Sequence, residues 1–361
     1  MNLFVPIIVI GVLVLITVLL MITDQLIGGD DKRTVTINDE QVIDVTETDT
    51  LLNTLSKEHI YLPSACGGKA TCGACKFRLI EGGPEEPLPT ETPLLSPEEQ
   101  ANNVRLSCQT KVRSSMKIEV LRELLTAKEY RAKVEKIEDL TYDIKLVRLK
   151  LLEPDTMDFK PGQYAQIRVP GLEIERAYSI ASNPKDKHHI EFIIRLVPGG
   201  KATTFVFKAL ENDDDIIITG PYGDFFLQEE SDRPIICIAG GSGKAPIRSI
   251  LSVLKDAGMP RKVYYFFGAR TQEDLFMTDE FRALEEEFDN FKYIPALSHA
   301  DDDHEWQGEK GLVTDVVMRY FDDLSNYEAY LCGSPGMIDA CISCLGGANL
   351  HDEFIYFDKF S

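Results

Sequence analysis

The sequence predicts a multidomain chain: an N-terminal transmembrane helix, a small α+β domain, an antiparallel β-barrel and a parallel-sheet α/β domain, in that order. Three observations carry this. Residues 3–22 form one uncharged apolar run, short β-like segments broken by Gly and Pro dominate from Tyr130 to Leu227, and strands alternate with helical segments from Arg233 onward. A length of 361 residues allows several domains, each with its own core. The formal net charge of -21 argues against nucleic acid as a partner, since non-specific binding needs a basic surface. Eight cysteines are too sparse for a disulfide scaffold, and their clustering points to a metal site.

The run Leu3–Ile22, LFVPIIVIGVLVLITVLLMI, holds no charge, and the first acid is Asp24. At about 1.5 Å per residue it makes a helix of roughly 30 Å, the thickness of a bilayer's hydrocarbon core. A cleaved signal peptide would have a basic start, a shorter apolar run and an A-x-A site, none of which the sequence shows. Lys32 and Arg33 follow the run and no side-chain charge precedes it, which places the bulk of the chain on the cytoplasmic side. The expectation is a single-pass protein of the cell inner (plasma) membrane, with residues 1–23 as anchor, lipid contact through residues 3–22, and residues 24–32 as linker.

Residues 33–46 alternate apolar and polar around Asn38-Asp39, a β-hairpin pattern. Asp49 is the expected N-cap of an amphipathic helix in DTLLNTLSKEHI. A cysteine-bearing loop follows, then a Pro/Gly/Glu-rich surface loop, a short helix opened by Ser96-Pro97, and a return to strand through VRLSCQTKVRSSMKIEVL. These elements set the small domain at 33–125, the barrel at 126–229 and the α/β domain at 230–361.

Cys66, Cys72 and Cys75 are spaced C-x5-C-x2-C, and Cys108 stands in RLSCQ. Four thiolates can hold a structural zinc or a [2Fe–2S] cluster. A zinc knuckle uses two close pairs, whereas a three-plus-one arrangement on a looping backbone suits a two-iron cluster. Gly67, Gly68 and Gly73 supply the positive-φ conformations that wrap it closely. The region resembles the plant-type ferredoxin domain, a β-grasp fold, with a first gap of five residues rather than four. The F subunits of membrane-bound NADH:quinone reductases and adrenodoxin-like proteins share that longer gap.

ERAYSIASNP contains Arg176-x-Tyr178-Ser179, which resembles the R-x-Y-S motif of the ferredoxin–NADP reductase superfamily. The resemblance implies FAD: Arg176 on its pyrophosphate, Tyr178 against the isoalloxazine and Ser179 facing N5. A guanidinium matches phosphate and an aromatic covers a ring, so these roles are chemically sensible. Gly200-x-x-Thr203 resembles the family's second pyrophosphate turn.

CIAGGSGKAPIRSIL places Gly241-x-Gly243-x-x-Pro246 between a strand and a helix, where glycines let phosphate approach the backbone. Proline in place of the third glycine resembles the same superfamily. Gly268-Ala269-Arg270 and Asp274 match its ribose-side loop. An acid there accepts from ribose hydroxyls and repels a 2′-phosphate, which favours NADH; a helix N-cap is the other reading of Asp274. Cys332-Gly333-x-Pro335 resembles the C-G-x-P motif, whose cysteine lies beside the nicotinamide C4. In this family a C-terminal aromatic shields the flavin until nicotinamide displaces it; Phe360 is the candidate, with Phe357 the alternative. Ser179, Cys332 and Phe360 are thus the expected catalytic residues. Cys237, Cys341 and Cys344 read as packing residues, because two thiols at i, i+3 cannot complete a four-ligand site.

The module order, cluster then flavin then nicotinamide behind a membrane helix, resembles the F subunits of sodium-translocating NADH:quinone oxidoreductases. The resemblance implies electron flow from NADH to FAD to [2Fe–2S] and on to membrane redox subunits, towards quinone. One departure stands out: only VPGLEIE joins QYAQIRV to Arg176, where those proteins carry a long insertion. The leading alternative is the reductase component of a multicomponent di-iron oxygenase, which uses the same modules in the same order with an oxygenase component as partner. A non-catalytic electron carrier or sensor is the other class, against which the intact motifs argue.

Overall fold

The computed structural model describes residues 10–19, 33–84, 86–172, 174–300 and 306–360. Residues 10–19 form a helix, α1, with exposed apolar side chains. The rest of the expected span lies outside the described residues, and no helix among the described residues is long and apolar enough to cross a membrane. The chain divides into two compact units, one from Met1–Thr54 with Lys76–Val120 and the other from Leu55–Cys75 with Leu121–Ser361.

The first unit is built on a five-stranded sheet. Strands β1 (Arg33–Ile37) and β2 (Gln41–Val45) pair antiparallel, turning through Asn38 and Asp39 at φ 52° and 60°. Two successive left-handed residues make the hairpin turn whose twist matches its strands, and Asn and Asp tolerate that conformation best after Gly. With β3 (Lys76–Gly82), β4 (Val104–Leu106) and β5 (Met116–Glu119) the order is β2-β1-β5-β3-β4. Helix α2 (Leu51–Lys57) begins one residue later than the sequence suggests. Thr50 caps it, its Oγ1 accepting from the Asn53 N–H at 3.2 Å, while Asp49 accepts from the Thr50 N–H at 2.7 Å. Helix α3 (Pro97–Ala101) opens as expected at Ser96, which forms a reciprocal capping box with Glu99.

The second unit holds two sheets. Strands β6 (Lys128–Asp139), β7 (Ile144–Glu153), β8 (Tyr164–Arg168), β9 (Glu175–Ser179), β10 (His189–Arg195) and β11 (Asp215–Tyr222) form an antiparallel sheet in the order β10-β7-β6-β11-β8-β9. An antiparallel bridge from Ile180 to Phe192 joins the two edges, so the sheet curls into a barrel and removes its open edges. Val147, Leu149, Ile190, Phe192 and Ile218 fill its core. Helix α4 (Lys201–Lys208) connects β10 to β11.

The second sheet is wholly parallel: β12 (Ile235–Gly240), β13 (Val263–Ala269), β14 (Phe291–Leu297), β15 (Glu309–Lys310), β16 (Glu328–Gly333) and β17 (Ile355–Lys359) in the order β15-β14-β13-β12-β16-β17. Helices α5 (Lys244–Asp256), α6 (Thr278–Glu287), α7 (Val313–Tyr320) and α8 (Pro335–Gly347) cross over between strands. Both faces of β12 are covered, which is why it reads IICIAG without alternation. The chain leaves β12 towards β13 on one side, and β16 lies on the other. The carboxyl end of β12 is therefore the switch point where such sheets bind ligands. Cys237 and Cys341 are buried packing residues on either side of this sheet.

Candidate functional site

In the segment Leu55–Cys75 the sulfurs of Cys66 and Cys72 stand 3.4 Å apart. Two thiolates on one tetrahedral metal, with bonds of about 2.3 Å, lie roughly 3.8 Å apart, so this pair is dimensioned for a single ion. Gly67, Gly68, Ala70 and Gly73 all take positive φ, turning the backbone round the sulfurs. A hydrogen bond from the Cys72 thiol, with amide bonds from Thr71 and Cys72, pulls the Cys66 thiol down to about 4. Cys75 is buried ahead of β3, and Cys108 is buried in the first unit two residues beyond β4. Among the described residues no group of three or more His, Cys, Asp or Glu side chains is gathered as for a single metal ion. A two-iron cluster does not ask for one. Bridging sulfides complete each iron, so each takes two thiolates, and converging amides are the donors that tune its sulfurs.

The same segment is held against the barrel. The Ser64 N–H donates to Gln166 Oε1 of β8 at 2.6 Å, and the Tyr222 hydroxyl of β11 donates to the Tyr61 carbonyl at 3.3 Å. A Cβ on Gly67 would lie 3.7 Å from Arg176 Nη1. The residue next to Cys66 therefore rests on β9, the strand that carries R-x-Y-S. On that strand Arg176 and Tyr178 share one face and Ser179 takes the other. Burial pushes the Tyr178 hydroxyl up to about 12, which keeps it neutral. Gly200 opens α4, and a Cβ there would come 2.9 Å from Thr203 Oγ1. That hydroxyl accepts from the Val197 N–H at 3.1 Å, so Thr203 builds the turn itself. The first-turn amides of α4 have no intrahelical acceptor, which gives the turn donors for an anion.

Beyond the carboxyl end of β12 lies a cavity of about 440 Å³ lined by Gly241, Gly268, Arg270, Asp274, Asp143 and Arg195, among others. Gly241 has φ 55°, and a Cβ on it would lie 3.3 Å from Arg195 Nη1. Gly243 and Pro246 serve behind the cavity: a Cβ on Gly243 would overlap the Cys332 carbonyl, and Pro246 is buried in the first turn of α5. Asp274 lines the cavity and also closes a capping box, accepting from the Thr271 N–H and hydroxyl at 2.9 and 3.1 Å. Its other oxygen accepts from the Tyr142 hydroxyl at 3.2 Å. Arg195 and Asp143, paired at 2.7 Å, escape a sequence reading because they come from the barrel and carry no motif.

Cys332 is fully buried near the end of β16, and burial pushes its thiol well above the usual range, so it stays protonated. The adjacent Gly333 carbonyl accepts from the Phe360 N–H at 2.8 Å. The Phe360 ring packs against the core, whereas Phe357 is 45% exposed. On the same last strand the Asp358 carboxylate accepts from the Ser179 hydroxyl. Asp358, too, went unmarked by any motif. Ser179, Asp358, Cys332 and Phe360 thus link β9 to the ends of β16 and β17.

Three family models match in succession: "2Fe-2S iron-sulfur cluster binding domain" over residues 35–113, "Oxidoreductase FAD-binding domain" over 131–227 and "Oxidoreductase NAD-binding domain" over 237–342. The chain is 37% identical over 327 residues to the phenol hydroxylase P5 protein of Acinetobacter pittii, covering 88% of this chain and 91% of that one. It is 32% identical over 394 residues to the F subunit of the Na(+)-translocating NADH-quinone reductase of Psychrobacter cryohalolentis, covering 96% and 95%. Among solved structures, the Amycolatopsis cytochrome P450 reductase GcoB matches with a TM-score of 0.76 and 28% identity over 91% of this chain and 98% of that one.

The chain belongs to the ferredoxin–NADP reductase superfamily. Within that superfamily it is an NADH-dependent oxidoreductase with FAD and a [2Fe–2S] cluster as its redox groups. The features above suit those groups: a sulfur pair close enough for one ion, a glycine turn too tight for a Cβ, and a cavity of about 440 Å³ at the switch point of the parallel sheet.

Proposed function

We propose that this reductase is membrane-anchored and passes electrons from NADH to a membrane redox partner, towards quinone. The observation that carries this is the uncharged run of residues 3–22 ahead of a three-module reductase. The alignment with the sodium-pump protein supports it, because one that covers 96% of this chain cannot leave out the whole of residues 1–23. When bound, FAD turns the hydride pair of NADH into single electrons and the [2Fe–2S] centre carries them one at a time.

Cys66, Cys72, Cys75 and Cys108 hold the irons. Arg176 and the turn that Gly200 and Thr203 build would hold the flavin pyrophosphate, Tyr178 would cover the ring and Ser179 would face its reactive edge. Gly241, Gly268, Arg270 and Asp274 would seat the dinucleotide, with Gly243 and Pro246 packed behind them; Cys332 and Gly333 would flank the nicotinamide, and Phe360 would fill its place when it is absent. The working domains are 33–125, 126–229 and 230–361, on the cytoplasmic side of a single-pass anchor.

Fractionation of cells producing the full chain, or the chain lacking residues 1–32, tests the proposal. The full chain should sediment with membranes, need detergent for release, and reduce quinone with NADH; the shortened chain should be released with its NADH:ferricyanide activity intact. A full chain that stays in the supernatant overturns the anchor.

A second reading, delivery of electrons to an oxygenase component, is favoured by one observation. The alignment with the sodium-pump protein spans 394 positions, more than the 361 residues of this chain, so that relative carries segments with no counterpart here, whereas phenol hydroxylase P5 aligns over 327. Faster reoxidation of the NADH-reduced protein by a di-iron hydroxylase component than by quinone would decide for it.

A further inference from the structure

Lys244 opens α5, directly after Gly243 of the glycine turn, and its side chain is completely buried. A lysine is almost never buried without a structural reason. Here Nζ donates to the Phe276 carbonyl at 2.5 Å. The rings of Phe267, Phe276 and Phe281 stand 3.8, 4.4 and 4.9 Å from it, with Tyr293 at 5.7 Å. Burial pushes the Lys244 amine well below the usual lysine range, while the aromatic faces favour its ammonium form and the carbonyl satisfies one donor.

The far end of this contact, Phe276, lies two residues beyond Asp274, which lines the cavity. It sits in the segment that leads from β13 to α6. The near end of that segment is fixed by the Thr271–Asp274 capping box. Its far end is not regular: Met277 takes φ 53°, a left-handed conformation that a non-glycine residue adopts only when its surroundings impose it. Lys244 is what reaches this far end from the glycine turn. It joins the two arms of one cavity, the turn at Gly241 and the loop at Asp274.

We propose that Lys244 is a positioning residue for the dinucleotide, a buried strut from the glycine turn to the Phe276 carbonyl that holds both arms of the cavity at the separation NADH requires. The proposal rests on the reading of this cavity as the NADH site. Its consequence is a pre-organised pocket: with the strut, no binding energy goes into ordering the loop. A purely structural role would behave differently: losing the hydrogen bond to the buried Phe276 carbonyl would lower the thermal midpoint and leave KM where it was. The scaffold should survive the change, since Arg248 of α5 also pairs with Glu280 of α6 at 2.9 Å.

The test uses the full-length protein loaded with FAD and cluster, comparing Lys244→Met and Lys244→Leu with the parent and with Asp274→Asn. KM for NADH, kcat with ferricyanide, flavin content and the thermal midpoint are measured for each. The expected result for both Lys244 variants is a KM raised about three- to tenfold, the equivalent of one net hydrogen bond, with kcat and flavin content unchanged and a midpoint lowered only modestly. An unchanged KM for both Lys244 variants, alongside a raised KM for Asp274→Asn, overturns the strut and leaves the cavity assignment standing. If none of the three variants moves KM, the cavity assignment falls and the strut with it.

Discussion

The Ser179 hydroxyl donates to Asp358 Oδ2 at 3.4 Å, joining a strand of the flavin barrel to the last strand of the parallel sheet. Burial holds the Asp358 carboxyl above the 3.8 of a free aspartate, with the Ser179 hydroxyl opposing the shift. The folded protein therefore binds this proton more tightly than the unfolded chain does. The associated stability is complete below pH 3.8 and is lost as pH rises through the raised value. Asp358→Asn should accordingly melt higher than the parent at pH 7, with the gain vanishing below pH 3.8. Its turnover should fall. A hydrogen bond to a charged group is worth about 1.5–3 kcal/mol, which corresponds to about tenfold or more in kcat if the bond acts in the hydride step. Calorimetry across pH and steady-state kinetics read the two effects separately, and a variant with unchanged kcat would remove Asp358 from the site.

The Glu91–Arg105 pair secures the segment that carries Cys108. Both side chains are buried, at 0% and 2% exposure, and they meet at 2.7 Å. Glu91 also accepts from the Leu88 and Leu106 amides, and Arg105 donates to the Pro84 carbonyl, so Pro84 and the turn around Leu88–Glu91 are stapled to β4. Removing one partner strands the other charge away from water, which costs about 3–5 kcal/mol. Glu91→Gln should therefore lower the denaturant midpoint and bleach the cluster absorbance in the same transition. Replacing both residues with methionine should recover only part of the loss, because the two amides stay unsatisfied.

The strands that enclose the redox cradles were legible in the sequence because their patterns are locally determined. IICIAG and VYYFFGA are continuous apolar runs of fully covered strands, and Asn38-Asp39 marks its own turn. The glycine turns were legible for a similar reason: a Cβ at Gly200, Gly241 or Gly243 meets an atom close by. What escaped was non-local. Arg195 and Asp143 reach the cavity of the parallel sheet from the barrel, and Asp358 meets Ser179 across 179 residues of sequence. Lys244 was hidden differently, since a lysine after a glycine turn gives no sign that it will be buried. Thr50 displaced Asp49 as helix cap because either side chain can accept from the first turn, and only the backbone decides between them.

Asp274 carries two duties that a single substitution can separate. Its carboxylate closes the capping box with Thr271, and its charge faces the cavity. Asn retains an oxygen for the Thr271 amide but removes the charge that repels a 2′-phosphate. Asp274→Asn should raise kcat/KM for NADPH about tenfold, raise KM for NADH through the weakened acceptor, and change stability by less than about 1 kcal/mol. Equal losses with both cofactors would mean that the residue acts only as a cap.

Phe360 tests whether the chain's last aromatic competes with the nicotinamide. Its backbone is fixed to the Gly333 carbonyl beside Cys332, and its ring is only partly buried although it packs on the core. A partly buried ring gives up little burial when another takes its place, and the proposed function has the nicotinamide take the place of this one. Phe360→Ala removes the competitor, so both NADH and NAD⁺ should bind more tightly. An aromatic contact of about 0.5–1.5 kcal/mol translates into a KM lowered roughly two- to tenfold. Product release should slow, giving a lower kcat and stronger inhibition by NAD⁺. Phe360→Tyr should behave like the parent. Phe357→Ala should leave all three parameters unchanged, because that ring is half exposed and is not packed on the core as Phe360 is. If Phe360→Ala instead raised KM, the ring would belong to the nicotinamide pocket as a wall and not as its occupant.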